Sequence, residues 1–150
     1  MVALLAGLSL LAGCGAPSDD VMINGFQTHR AQYSELLSMF QSDRQLHFIG
    51  QWNVPEAQDS AIGTLDHARV ARYRTLMDQL HVDSVERYFG HTILVVTSTG
   101  GLAPSGFVKG YLFAKKPPSP LVGDTANTGD SEGEVYRHIE GDWYLMYEWN

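Results

Sequence analysis

The stretch that decides the fold is EVYRHIEGDWYLMYEW, which runs from residue 134 to residue 149. Two runs of alternating side chains, Glu134–Glu140 and Trp143–Trp149, flank the dipeptide Gly141-Asp142. A two-residue Gly-Asp connection between such runs predicts a β-hairpin, because these residues tolerate the positive φ that tight hairpin turns require. One face of the last strand then collects four apolar or aromatic side chains, Trp143, Leu145, Tyr147 and Trp149.

The residues upstream of this hairpin also alternate with the period of a strand. Residues 92–99 (TILVVTST) are rich in β-branched side chains, and residues 106–114 (GFVKGYLFA) alternate aromatic with small or aliphatic ones. Gly100–Ser105 lies between them and predicts a turn. Leu46–Ile49 is long enough for a short strand only. We therefore expect an antiparallel meander of about four strands.

Two segments that precede the strands have apolar residues at helical spacing. Residues 20–41 predict one long helix, and residues 65–80 predict a second helix with Thr64 as its cap. The first helix has three candidate capping residues, Ser18, Asp19 and Asp20. The expected fold class is α+β, with two N-terminal helices packed on the antiparallel meander.

A long connection separates the last two predicted strands from the rest. Lys115–Gly133 reads KKPPSPLVGDTANTGDSEG, with three prolines, three glycines and few side chains suited to a core. Connections of this length without structure of their own are usually functional or disordered. We expect Lys115–Gly133 to be a flexible, exposed loop within a single α+β domain over residues 21–150.

Composition and charge bound the function of this domain. The chain has 150 residues, of which 44% are hydrophobic and 18% are charged, and its formal net charge is −7. These values are typical of one globular domain. The acidic charge argues against nucleic acid as a partner, because binding to phosphates needs a basic surface.

The first thirteen residues, MVALLAGLSLLAG, contain no charged side chain. This run is too short to cross a bilayer as a helix, which takes ~20 residues. Its length fits the apolar core of a secretory signal peptide, and we expect residues 1–13 to be removed. Leu11-Ala12-Gly13-Cys14 follows the pattern of the lipobox and contains the only cysteine of the chain. On these residues the chain resembles bacterial lipoproteins.

The resemblance to lipoproteins implies a site and a location. It implies cleavage between Gly13 and Cys14, diacylglycerol on the Cys14 thiol, and a fatty acid such as palmitate on the new amine. Residues 14–20 would then be a lipidated tether that holds the domain to a membrane of the cell envelope. Gly15 stands where an aspartate favours retention in the inner membrane, so the resemblance favours the outer membrane, facing the periplasm.

The body of the chain also resembles envelope lipoproteins. Two helices followed by a meander on a lipobox tether is similar to the BamE/SmpA type, whose members bind partners in outer-membrane protein assembly; this likeness is architectural. Arg72–Leu80, Gly106–Phe113 and Tyr136–Trp149 resemble segments of uncharacterised proteobacterial lipoproteins. Neither likeness brings an enzymatic activity with it.

Four residues are candidates for binding a partner. Lys109 lies within an apolar strand, so it must reach a sheet edge, pair with an acid or serve a ligand; an edge position is the ordinary expectation. Tyr111 follows it across Gly110, where another group can approach the backbone closely. Tyr144 and Met146 share the second face of the last strand and would form an apolar patch if that face is uncovered.

Catalytic motifs give little guidance. The sequence has no nucleophile elbow, Walker A loop or dinucleotide fingerprint, and none of its six histidines pair at three- to five-residue spacing. No catalytic residue, metal site or cofactor is therefore predicted. Four acids gather near the last hairpin, Glu134, Glu140, Asp142 and Glu148.

The leading hypothesis for the function is a lipid-anchored envelope protein that binds a protein or cell-wall partner. One alternative is a periplasm-facing hydrolase whose dispersed acids and histidines converge in the fold. Another is an inhibitory lipoprotein that acts through an exposed loop, either Gly100–Ser105 or Lys115–Gly133.

Overall fold

The computed structural model describes residues 15–50, 64–102, 105–126 and 131–150. Within these ranges the chain forms three helices and one six-stranded antiparallel sheet with the order β1-β2-β3-β4-β6-β5. The helices are α1 (Asp19–Thr28), α2 (Arg30–Ser42) and α3 (His67–Leu80). The strands are β1 (Phe48–Gly50), β2 (Ser84–Arg87), β3 (Ile93–Leu102), β4 (Ser105–Phe113), β5 (Gly133–Glu140) and β6 (Trp143–Trp149).

The α+β class is confirmed, but the finer architecture differs from the expectation. The sheet has six strands rather than about four, and α3 follows β1 in the chain instead of preceding all strands. The additional strands are short. β1 has three residues and overlaps the short strand expected at Leu46–Ile49. β2 was not expected, because its four residues are too few for a period of two to be recognised in the sequence.

The first predicted helix is two helices that meet at His29. His29 leaves the helical conformation with φ −111° and ψ 22°, and its N–H still donates to the Gly25 carbonyl oxygen at 3.1 Å. In an unbroken helix, residues seven apart are separated by about 10 Å along the axis. The break brings the rings of Phe26 and Tyr33 to 5.3 Å, so that both pack in the same core.

Helix α3 begins at His67, two residues later than predicted. Asp66, not Thr64, is the N-cap residue, and its carboxylate accepts a hydrogen bond from the Arg69 N–H at 2.7 Å. Aspartate and threonine are both good caps, so the sequence alone does not rank these two positions. The helix ends at Leu80, and the C-cap residue His81 has a φ of 51°, in the left-handed region.

The predicted C-terminal hairpin is confirmed, but its two strands have different neighbours. β6 lies inside the sheet between β4 and β5, and β5 is an edge strand. The β3–β4 hairpin is longer than expected, because Gly100 and Gly101 belong to β3 and pair with Phe107 and Gly106. Ser105 likewise belongs to β4, so the turn spans fewer residues than the predicted Gly100–Ser105.

The sheet separates two clusters of buried side chains. The larger cluster joins the helices to one face, which we call the helix face. The smaller cluster lies on the opposite face, which we call the outer face. Adjacent residues of β6 enter different clusters: Trp143 and Leu145 face the helices, and Tyr144 and Met146 face outward.

The sheet curls toward the outer face. The Tyr88 hydroxyl, at the end of β2, donates to the Glu134 carboxylate of β5 at 2.6 Å. Strands β2 and β5 are four positions apart in the sheet, which is about 19 Å in a flat one. A tyrosine and a glutamate cannot bridge that span, so the outer face is concave.

The described part of Lys115–Gly133 is mostly exposed, as expected, but it is docked on the sheet. The Val122 N–H donates to the Tyr136 carbonyl oxygen at 2.7 Å, and the Tyr136 N–H donates to the Pro120 carbonyl oxygen at 3.0 Å. Thr125 is fully buried. This segment therefore packs along the edge strand β5. The sequence did not predict this docking, because a segment rich in proline and glycine has no strand-like alternation.

Several predictions lie outside the described residues. The signal peptide over 1–13, the cleavage point at Gly13 and the lipid attachment site at Cys14 precede Gly15, where the description begins. In the described part of the chain, no helix has the length and apolar character needed to cross a membrane.

Candidate functional site

Lys109 is the best-defined feature among the predicted site residues, and it is not at a sheet edge. Strand β4 lies between β3 and β6, and the Lys109 side chain is only 3% exposed. The edge interpretation is therefore wrong. Gly110, which follows it, brings two backbones into close contact: a Cβ at Gly110 would lie 2.3 Å from the Val95 carbonyl oxygen.

The Lys109 ammonium belongs to a buried polar network centred on Asp19, the first residue of α1. Lys109 Nζ donates to Asp19 Oδ1 at 2.7 Å and to the Pro17 carbonyl oxygen at 2.8 Å. The Thr125 N–H donates to Asp19 Oδ2 at 2.8 Å, and its hydroxyl donates to Oδ1. Arg137 of β5 completes the network at 3.2 Å from Oδ2.

The electrostatics of this network favour an ionised Asp19. Burial by itself raises the pKa of the Asp19 carboxyl, but hydrogen bonds from Lys109 and Thr125 outweigh it and hold the pKa at about 2. A carboxylate with this many donors is strongly stabilised in its charged form. Both of its oxygens are occupied by groups of the protein, so the network is a structural junction and not a site open to a substrate.

The junction joins parts of the chain that are distant in sequence. Asp19 begins α1, Lys109 is in β4, Arg137 is in β5, and Thr125 comes from the segment docked along β5. Pro17 precedes α1 and lies three residues after Cys14. The root of the predicted lipid tether is thus fixed to the centre of the sheet.

The other three predicted binding residues are also buried. Tyr111 is 3% exposed and donates its hydroxyl hydrogen to the Met22 carbonyl oxygen at 2.9 Å; burial raises its pKa to about 12. Tyr144 and Met146 belong to the outer-face cluster and are 5% and 0% exposed. The condition for an apolar patch at Tyr144 and Met146 is therefore not met.

The acids near the last hairpin divide into two pairs. Glu140 and Asp142 bind the cations of Arg30 and Lys115 at 2.5 and 2.6 Å. Glu134 and Glu148, in contrast, are direct cross-strand partners, and like charges in that arrangement repel.

A third carboxyl group faces the pair Glu134 and Glu148 from β2. Burial, and secondly the charge of Glu148, raise the pKa of Glu86 above its usual range. The Tyr88 hydroxyl donates to Glu134 at the same place, and burial and this bond raise the pKa of Tyr88. Glu86 was not among the acids recognised from the sequence, because its strand is only four residues long.

The histidines do not converge. His29 is half-buried with the Gln32 side chain 3.5 Å away, and the other five are exposed. Across the ranges that the structure describes, no group of three histidine, cysteine or acidic side chains is placed to hold a metal ion.

Three aromatic rings lie together at one end of the sheet. The sequence placed Tyr147 and Trp149 on one face of the last strand, but it did not show that Phe107 lies beside them. We call Phe107, Tyr147 and Trp149 the aromatic end. The Tyr147 ring centroid lies 6.0 Å from that of Phe107 and 5.6 Å from that of Trp149. All three rings are half-buried, and Phe107 and Trp149 line an open cavity of about 190 Å³.

Glycines opposite two of the rings make the aromatic end possible. A Cβ at Gly100 would lie 2.6 Å from Phe107 Cε1, and a Cβ at Gly133 would lie 2.8 Å from Trp149 Cη2. The rings therefore rest directly on the neighbouring backbone. The glycines in the facing strands could have indicated room for the rings. They do so only once the pairing of the strands is known.

Comparisons with known proteins found no relative. No family model matches the chain, and no match was found among curated proteins or solved structures. The expected likeness to envelope lipoproteins stays a prediction from the sequence.

Proposed function

We propose that this protein is a lipid-anchored protein of the cell envelope, located at the outer membrane and facing the periplasm, whose domain binds a protein or cell-wall partner. The observation that supports this proposal most directly is the distance in the chain between the lipobox cysteine and the buried junction. Only four residues lie between Cys14 and Asp19.

A lipid anchor needs a firm connection to the folded domain if it is to hold that domain at a membrane. The Pro17 carbonyl oxygen is bound by Lys109, whose side chain is itself buried in the middle strand of the sheet. Chain termini normally fray. It is therefore unusual that a buried lysine binds the backbone only three residues after Cys14. It suits a terminus that transmits the position of the anchor to the domain.

The test of the anchor uses the full chain expressed in a diderm bacterium. We expect radiolabelled palmitate to enter the wild-type protein, and mass spectrometry to find a mature N-terminus at an acylated Cys14. The variant Cys14→Ser should take up no label and leave the membrane fraction, because stable attachment takes two or more acyl chains. A matched control is Ser18→Ala, which changes a neighbouring hydroxyl but leaves the lipobox intact. An unmodified thiol still joined to Gly13 would contradict the proposal.

The partner is to be sought with the anchored form. Crosslinking in intact envelopes followed by purification should recover the same protein or cell-wall fragment with wild type but not with Cys14→Ser. The surface that binds it does not consist of Lys109, Tyr111, Tyr144 and Met146, since these side chains are buried.

A hydrolase is the second candidate function, and the acids of the outer face favour it. Two neighbouring carboxyl groups, one held protonated, are the requirement for cleaving a glycosidic bond. Glu86, with its raised pKa, would act as the acid and Glu148, which lines the open cavity, as its partner. Purified protein should then release soluble fragments from cell-wall glycan, and both Glu86→Gln and Glu148→Gln should abolish release. Equal release by wild type and Glu148→Gln would exclude this candidate.

The inhibitory alternative is tested better by a point substitution than by deleting the candidate loop. Deleting residues 117–130 would remove Thr125 from the buried junction, so loss of binding would not distinguish a loop contact from damage to the fold. Leu121 is 51% exposed in the same segment. The variant Leu121→Ser changes that surface and leaves the junction in place.

A further inference from the structure

We infer that the aromatic end lies against the headgroup region of the bilayer that holds the anchor. This inference rests on the proposed lipid anchor and assigns a surface and an orientation to it. The occupant of the surface is the lipid–water interface, and the far end of the sheet faces the aqueous compartment.

The path from the anchor to the aromatic end is short. Three residues, from Cys14 to Pro17, reach at most about 11 Å. Pro17 is held by Lys109, whose Nζ lies 5.4 Å from the centre of the Tyr147 ring. The Phe107 and Trp149 rings are the next neighbours of Tyr147. An acylated Cys14 therefore brings the bilayer to the side of the aromatic end.

The chemistry of the three rings suits the interface between lipid and water. Tryptophan and tyrosine are enriched where membrane meets water, because their rings are apolar and their N–H or O–H group stays hydrated or bonded. The Trp149 indole N–H already donates to the Ser131 carbonyl oxygen, so its ring can enter the interface without leaving a donor unsatisfied. Phe107 adds a ring with no polar atom.

The distribution of charged residues also favours contact with lipid at this end of the sheet. No aspartate, glutamate, lysine or arginine occurs between Arg87 and Lys109, so the end of the β3–β4 hairpin can approach lipid without removing a charge from water. The acidic groups beside the aromatic end are Glu148, which lines the cavity with Phe107 and Trp149, and its cross-strand partner Glu134. Since the chain carries a net charge of −7, we expect docking on zwitterionic lipid to exceed docking on anionic lipid.

The opposite end of the sheet provides the matched control surface. Phe89 is 81% exposed in the turn between β2 and β3. Strand β3 starts at Ile93, beside that turn, and Gly100 of β3 pairs with Phe107, which places about 23 Å between the turn and the aromatic end. If the anchor fixes the orientation, Phe89 cannot touch the same bilayer.

The test uses the purified, lipidated full chain in phosphatidylcholine vesicles that contain bromine-labelled lipid. Bromine quenches tryptophan fluorescence on contact, so the difference between wild type and Trp149→Phe isolates Trp149. We expect wild type to lose clearly more fluorescence than Trp149→Phe, and Phe89→Ala to behave as wild type. Equal quenching of wild type and Trp149→Phe in vesicle-bound protein would overturn the inference while leaving the anchor intact. Protein that carries no lipid would instead overturn the proposed function.

A second measurement does not depend on any aromatic substitution. Acylation consumes Cys14, so an introduced cysteine is the only free thiol. Spin labels at Ser105→Cys, beside the aromatic end, and at His91→Cys, at the far end, occupy two exposed positions. We expect oxygen dissolved in the bilayer to relax the label at 105 and a water-soluble nickel complex to relax the label at 91. Two labels that respond alike to the nickel complex would show that the aromatic end faces water and is free for a protein partner.

Discussion

The two faces of the sheet hold acidic groups in opposite ways. On the helix face, the buried carboxylate of Asp19 meets the Lys109 ammonium, and its pKa falls to about 2. On the outer face, Glu134 and Glu148 are cross-strand partners, and the pKa of Glu86 is raised. Opposite charges that are paired stabilise a fold, whereas like charges held together oppose it. The helix face is therefore organised for stability, and the outer face keeps an unfavourable arrangement that a binding or catalytic role would explain.

The largest effect is expected from breaking the pair on the helix face. Lys109→Met leaves the Asp19 carboxylate buried with Arg137 as its remaining cation, at 3.2 Å. Removing one partner of a buried ion pair typically costs about 3–5 kcal/mol of unfolding free energy. Urea denaturation followed by circular dichroism measures this change.

A double variant supplies the control for Lys109→Met. Asp19→Asn combined with Lys109→Met removes both charges and keeps an acceptor for the Thr125 N–H. We expect it to recover a large part of the lost stability, because two uncharged groups leave no buried ion unpaired. A double variant less stable than Lys109→Met would show that the Asp19 charge itself supports the fold through Arg137.

Adjacent residues of β6 allow the two clusters to be compared directly. Leu145 faces the helices and Met146 faces outward, and both side chains are 0% exposed. Truncating either one to alanine should cost about 2–5 kcal/mol. We expect Leu145→Ala to be the more damaging, because the larger cluster around it is held between sheet and helices and collapses less. Equal losses in urea denaturation would mean that the outer face is packed as tightly as the helix face.

The pH dependence of stability should have opposite signs on the two faces. The folded pKa of Asp19, about 2, lies below its ordinary value of 3.8. Its ionised form therefore contributes about 2 kcal/mol above pH ~4, and this contribution is lost as the pH falls toward ~2. The folded pKa of Glu86 is raised above 4.5, so its contribution is present below that value and is lost as the pH rises through the raised pKa.

Unfolding midpoints in urea across the acid and neutral range measure both effects. Asp19→Asn should flatten the loss of stability at low pH. Glu86→Gln should raise stability at neutral pH relative to wild type, since it removes a carboxylate that burial and Glu148 disfavour. If Glu86→Gln is less stable than wild type at neutral pH, the Glu86 carboxylate is not unfavourable, and the two faces do not differ in the way described above.

The smallest effect is expected at an ion pair on the surface. Arg72 donates to both carboxylate oxygens of Glu35, at 2.7 and 2.6 Å, but the two side chains are 45% and 42% exposed. Water and salt screen such pairs, so Glu35→Gln should leave the urea midpoint almost unchanged and insensitive to added salt. A shift as large as that of Lys109→Met would show that exposure does not separate these two ion pairs.

Local patterns in the sequence were sufficient for much of the fold. The Gly141-Asp142 turn and the alternation on either side of it predicted the last hairpin, and residues 92–99 and 106–114 predicted the central strands. These features depend on neighbours within a few residues. The short strand expected at Leu46–Ile49 overlaps β1, but β2 and the break at His29 were missed, because they depend on what packs against them.

The site was harder to predict because it depends on the order of strands. Asp19 was recognised only as a candidate helix cap, yet the residue whose side chain caps α1 is Ser18. That Lys109 meets Asp19 follows from β4 being an inner strand, and nothing in the local sequence of β4 says which strands flank it. The docking of Thr125 is a contact across 106 residues and leaves no periodic signal.

The junction at Asp19 also has a consequence for how the chain is made. Its partners Lys109, Thr125 and Arg137 follow it by 90, 106 and 118 residues. Contacts over such separations form slowly, because the intervening chain must first be brought together. During synthesis α1 emerges long before the groups that neutralise its first residue. The domain thus cannot finish folding until Arg137 has left the ribosome. If the chain is exported as proposed, this delay would keep it unfolded enough to pass through a translocation pore.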